Sequence, residues 1–195
     1  MFQIKPFKLF GIFVLILLPA FALASAEDDG LEGIREYELG NIIDGMELLY
    51  KSADGGYAAA QAKLGYILDQ AEENDKAFVW FLKAAEQGNS DGQYGLGSMY
   101  AKGDGVEKDF SEAIIWIKKA AEQGHVLAMR TYATALEKGE LGISSDEEET
   151  VKWLKKAADQ GDSISIRRLA QAYRGGELGL TADLEQATEL QALVD

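Results

Sequence analysis

Beyond Gly56 the apolar positions fall into two alternating patterns, and both have the spacing of a helix. In the first, Ala60, Leu64, Ile67 and Leu68 share a face, and the stripe returns as Gly92, Leu96, Met99 and Tyr100, then Ala128, Tyr132, Ala135 and Leu136, then Ser165, Leu169, Ala172 and Tyr173. A small residue is paired with a large one in every layer. Small residues also stand beside the large ones, at Gly65, Gly97, Ala133 and Ala170. Glycine inside a helix costs ~1 kcal/mol against alanine, so close approach of a second helix is the expected compensation.

The second pattern carries the tryptophans. Trp80 with Ala84, Trp116 with Ala120 and Trp153 with Ala157 form i, i+4 pairs, while Lys83, Lys119 and Lys156 fall on the neighbouring, wetter side. Each such segment ends at a glycine able to take the left-handed conformation of a helix end, at Gly88, Gly124 and Gly161. Starts are marked as well: Asp109, Asp146 and Asp183 suit helix amino termini, and Ser145 with Glu148 has the spacing of a capping box. The Trp-to-Gly string Trp80–Gly88 returns as Trp116–Gly124 and Trp153–Gly161, with a weaker copy from Leu48 to Gly56. Steps of 32, 36 and 37 residues between the closing glycines predict an α/α solenoid of about four stacked two-helix units. Tryptophan, alanine and leucine in phase make Leu64, Trp80, Ala84, Leu96, Trp116, Ala120, Tyr132, Trp153, Ala157 and Leu169 the predicted core of the repeat. The connection inside a unit is about four residues shorter at Asp69–Asp75 than at Lys102–Asp109, which predicts a shallower edge at the amino-terminal end.

The first 26 residues are a separate object. Lys5 and Lys8 precede the apolar run Leu9–Leu23, and Ala24-Ser25-Ala26 then supplies small residues before the acidic start Glu27-Asp28-Asp29. That order predicts a cleaved secretory leader over 1–26, a short acidic linker over 27–30 and the solenoid over 31–195. The apolar run falls short of the ~20 residues that span a bilayer, so contact with the membrane is expected only during export. A periplasmic location follows, with retention by an uncleaved leader or full secretion as the alternatives.

Charge narrows the partners. With 33 acidic against 19 basic residues the chain carries −14, and loss of Lys5 and Lys8 with the leader takes it to −16. Nucleic acid and anionic lipid surfaces attract clustered Lys and Arg, so neither is an expected ligand. No cofactor is expected. With one histidine and no cysteine, thiolate chemistry and a multi-histidine or mixed zinc site are excluded, so metal and catalytic residues are both assigned as none. His125 directly follows a helix-ending glycine and reads as a surface turn residue rather than a base. The acidic run Asp146–Glu149 lacks calcium-loop spacing and suits a helix amino terminus.

The string Gly95–Val106, followed by Ala113–Gly124, resembles the Sel-one-like repeat, a relative of the tetratricopeptide repeat, and the likeness extends over roughly 31–190. This resemblance implies a helical scaffold without an active site that assembles protein complexes, often at bacterial envelopes. Some cysteine-rich members are similar to penicillin-binding hydrolases, which makes a β-lactamase-like hydrolase the alternative; those rely on disulfides that this chain cannot form. The opening unit Leu31–Gly55 is degenerate, and the last, with Leu190 where Trp stands, ends early; both resemble capping units.

In such a repeat the first helices line the concave face. Their outward positions include Tyr66; Asp91, Tyr94 and Ser98; Leu127, Arg130 and Thr134; and Ile164, Arg167, Gln171 and Arg174. Tyrosine and arginine anchor interfaces through contact area and directed hydrogen bonds. These residues are therefore the predicted binding surface for a protein or peptide partner, the chain itself acting as a monomer. Arginines cluster in the two later helices, so either an acidic peptide is expected there, with an apolar grip at the tyrosines, or these arginines pair with the many nearby carboxylates of the chain.

Overall fold

The computed structural model describes the backbone of residues 10–194 and the side chains of 23–194. Ten helices and no strands make up the described residues. They pair as α1 (Phe10–Glu38) with α2 (Ile42–Asp54), α3 (Ala58–Gln70) with α4 (Asn74–Glu86), α5 (Ser90–Lys102) with α6 (Phe110–Glu122), α7 (Val126–Lys138) with α8 (Glu147–Asp159), and α9 (Ser163–Gly175) with α10 (Leu184–Ala192). Each helix packs mainly on its neighbours in sequence, and the first helices α3 and α5 also touch directly. This is the predicted α/α solenoid, because no unit can cover its apolar face alone.

Punctuation in the sequence sets the helix ends. Gly56, Gly88, Gly124 and Gly161 take positive φ of 94°, 85°, 95° and 83° just beyond the second helices, a conformation open to glycine because it lacks a Cβ. Asp109, Asp146 and Asp183 cap α6, α8 and α10, each side chain accepting a backbone N–H of the first turn. The cap of α8 is thus Asp146, bonded to the Glu149 amide at 3.0 Å, and the expected Ser145–Glu148 box is displaced by one residue. A carboxylate meets the positive helix end better than a hydroxyl does. The connection of α3 to α4 spans only 71–73, against 103–109 in the next unit, so the amino-terminal edge is the shallow one.

Nine of the ten predicted core residues are buried, with Trp80 at the margin, and Trp116 alone is half-buried. The small residues make the close approaches expected of them. A Cβ on Gly65 would stand 2.7 Å from the Phe81 ring, and one on Gly97 would stand 3.0 Å from the Ala113 carbonyl oxygen. The lysines are exposed, as expected of a wetter side, and also lie over the indoles: Nζ of Lys83, Lys119 and Lys156 is 4.0, 3.9 and 4.0 Å from the ring centres of Trp80, Trp116 and Trp153. An i, i+3 step puts the ammonium above the π face while its stem covers apolar surface.

The glutamine before each closing glycine has a task too. Gln87 donates to Gln61 at 2.6 Å, Gln123 to Gln93 at 2.7 Å, and Gln160 to the Met129 sulfur at 3.7 Å. Each bond ties the end of a second helix to the buried side of its own first helix. Gln93 is 5% exposed. Gln123→Ala, which strands its amide oxygen, is expected to cost about 1 kcal/mol; urea unfolding followed by circular dichroism would read this as a lowered midpoint.

Residues 27–30, expected as a linker, lie inside α1. Ala26 is buried, its carbonyl accepts from Ser52 Oγ at 2.5 Å, and Gly30 lets Tyr57 and Ser52 approach α1, so packing on α2 carries the helix back through this stretch. Of the predicted leader, residues 1–9 lie outside those described and 10–22 are described in backbone alone.

Candidate functional site

First helices α1, α3, α5 and α7 together enclose a recess of about 550 Å³. Tyr66 comes from α3, Asp91, Tyr94 and Ser98 from α5, and Leu127 from α7, so five of the predicted binding residues line one pocket. Its floor is the Phe81 ring of α4, seen through the gap that Gly95 leaves; a Cβ at 95 would overlap that ring. Tyr66 and Leu127 are the exposed apolar walls, at 57% and 43%. Such a combination of apolar lining with a few polar groups is what an anchoring side chain requires.

His125 also lines this pocket and is more than a turn residue. It is the amino-terminal cap of α7, Nδ1 accepting the Ala128 amide at 3.1 Å. Accepting through Nδ1 puts the proton of the neutral ring on Nε2, which stands 3.3 Å from Asp91 Oδ1. The ring stacks on Tyr94 with centres 4.7 Å apart. His125 thereby fixes Tyr94 at the pocket wall. Its hydrogen bond holds the Asp91 carboxyl below the usual carboxylate range. The associated stabilisation is present above the ordinary Asp value of about 4 and is lost as pH falls through the depressed native value. In a carboxyl NMR titration His125→Asn, which keeps a capping side chain, is expected to return Asp91 to the ordinary range; an unchanged titration would show another cause.

Farther along, Ser98, Arg130 and Thr134 line a second recess of about 290 Å³ between α5 and α7. Arg130 is committed to Asp162, the cap of α9, at 2.7 Å. Arg168 is committed likewise, to Glu137 at 2.7 Å and to Glu177 at 2.8 Å. Two of the four clustered arginines therefore serve to join successive units. Ile164, Arg167, Gln171 and Arg174 lie exposed on α9, outside both recesses, and among the described residues the guanidinium of Arg167 bonds only the Ser163 carbonyl of its own helix.

Sequence reasoning missed Phe81, Lys63 and Lys102 as pocket residues. Gly95 carried a readable signal, since its copies are Lys63, Thr131 and Arg168 and it alone has no side chain. Among the described residues no three His, Asp or Glu side chains converge as a metal site.

The Sel1 repeat model matches residues 58–89, 90–125, 126–162 and 163–190, more than half of the chain. The chain belongs to the Sel1 repeat family. A Sel1 repeat protein from Oxalobacter formigenes superposes with a TM-score of 0.78 at 26% identity, over 87% of this chain and 70% of that one. The protective antigen c5321 of uropathogenic Escherichia coli, which displays the same repeat fold, gives 0.70 at 25% identity over 92% and 48%. Among curated proteins, "DAP3-binding cell death enhancer 1" of Rattus norvegicus is 41% identical over 70 residues, 35% of this chain; the match spans 14% of that protein's length. Sel1 repeat proteins generally mediate protein–protein interaction and typically have no catalytic role.

Proposed function

We propose that this Sel1 repeat protein is an exported, non-enzymatic adaptor that holds a protein partner through a segment lying along its first helices. The observation that carries the reading is the 550 Å³ recess walled by Tyr66, Tyr94 and Leu127. An exposed tyrosine and leucine over an apolar floor form the kind of anchor pocket that dominates an interface. Binding of a protein, as the name of the DAP3-binding relative states for that protein, is consistent with it. The leader-like amino terminus and the absence of cysteine suit a periplasmic role for the adaptor. At the carboxy-terminal end the expected preference for acidic segments rests on Arg167 and Arg174, since Arg130 and Arg168 are neutralised within the chain.

A photo-crosslinking residue at Tyr66 or Leu127, compared with one at Ile115 on a second helix, tests the surface. Capture of the same protein from envelope extract at both first-helix positions, and not at Ile115, is the expected result. Capture at Ile115 alone would place the partner elsewhere. Intact mass of the exported chain is expected to lack residues 1–26, and nitrocefin turnover above background would contradict the non-enzymatic role.

A further inference from the structure

Partners across the first helices follow a register. Counting from the closing glycine of the preceding unit, the seventh residue is Lys63, Gly95, Thr131 or Arg168, and the thirteenth is Asp69, Ala101, Glu137 or Arg174. At the last boundary Arg168 reaches back to Glu137 in the final turns of α7, 2.7 Å away. At the first, Lys63 reaches back in the same way to Glu38 at the end of α1, 2.9 Å away. The boundary between α5 and α7 has no charge at either position, with Thr131 and Ala101 on one recess. Between α3 and α5 the acid is present and the cation is missing: Asp69 and Gly95 border the same pocket.

The other charges around that pocket are all spoken for. Lys63 is held by Glu38, Lys102 stands 3.7 Å from Asp104, and Asp91 is bonded by His125. The half-buried Asp69 side chain has no hydrogen-bond or ion-pair partner among the described residues. It also sits in the last turn of α3, a turn with no basic residue, whereas α1, α5, α7 and α9 end with Arg35, Lys102, Lys138 and Arg174. A carboxylate at the negative end of a helix is unfavourable. The free protein therefore carries an acid that local physics disfavours, at the mouth of an apolar slot.

We infer that the pocket receives a lysine or arginine side chain of the bound partner. Its aliphatic stem lies over the Phe81 ring that comes up against Gly95, between Tyr66 and Tyr94, and its cationic end pairs with Asp69. The partner thus supplies in trans the ion pair that Lys63–Glu38 and Arg168–Glu137 make within the chain. A net charge of −14 favours approach of a basic segment over an acidic one. The inference rests on the groove reading above and names the chemistry recognised there.

The test is selection of a displayed random dodecapeptide library on the full exported protein, followed by anisotropy titration of the consensus peptide. Enrichment of Arg or Lys at one position is expected. The analogue with citrulline for Arg, or norleucine for Lys, should bind at least tenfold more weakly to the parent, and as well as the charged peptide to Asp69→Asn. Asp69→Asn should melt at or above the parent temperature, which separates lost recognition from lost fold. Acidic or uncharged consensus peptides that bind Asp69→Asn undiminished would overturn the basic-side-chain inference; if Tyr66→Ala still weakens them, the groove reading survives. Peptides indifferent to both substitutions would remove both readings, and a library without consensus counts against the inference.

Discussion

Trp153→Ala is expected to lower stability by about 3–5 kcal/mol, the range for deleting a fully packed aromatic side chain. Trp153 is 4% exposed, meets Tyr132 edge-on at 5.4 Å, lies under Lys156 and donates its indole N–H to Glu149 at 3.0 Å. Trp116 makes the equivalent bond to Glu112 at 3.0 Å but is only half-buried and has no aromatic edge partner among the described residues. Trp116→Ala should therefore cost about half as much. Urea unfolding of both variants checks the order; equal losses would mean that their identical place in the repeat, not their burial, sets the energy.

Gly45→Val is expected to detach the amino-terminal pair from the rest. A Cβ at residue 45 would stand 2.6 Å from the Tyr37 amide nitrogen and 2.9 Å from its Cα, both backbone atoms of α1, so α1 and α2 must move apart. Gly33 is as tightly placed, 2.9 Å from the Leu49 amide nitrogen. Overpacking of this kind costs typically 1–3 kcal/mol and more when a β-branched residue meets backbone. Units of a solenoid open separately, so the loss should be local. Hydrogen exchange is expected to show lost protection over 23–54 with α5 to α8 unchanged. Uniform loss along the chain would show that the pairs unfold as one body.

What was legible in the chain and what was not divides along a physical line. Residues whose role repeats, such as Trp80, Leu96, Ala120 and the capping Asp109, announce themselves by recurrence, because every unit solves the same packing problem. The α1–α2 pair was underestimated for the converse reason: its crossing relies on Gly33 and Gly45, which leave no apolar pattern to read. Residues 27–30 looked like a linker because acids on the outer side of a helix carry no hydrophobic signal, although Ala26 and Gly30 on the other side are buried.

The site was half legible. Exposed residues such as Tyr66 and Leu127 follow from helix phase alone. Pairing between charges on different helices does not, which left open whether the arginines meet a partner or a carboxylate of the chain; Asp162 holds Arg130 and Glu137 holds Arg168. His125 was misjudged because capping depends on a backbone direction that composition does not reveal. The pocket itself arises from a missing side chain, and at Gly95 the copies with Lys, Thr and Arg were the one available clue.

Amide NMR of the chain titrated with its selected peptide would examine the recessed face of the stacked first helices most directly. Shifts centred on Tyr66, Tyr94, Ser98 and Leu127 are the predicted outcome. A map centred on Val79 and Ile115 of the second helices would contradict it.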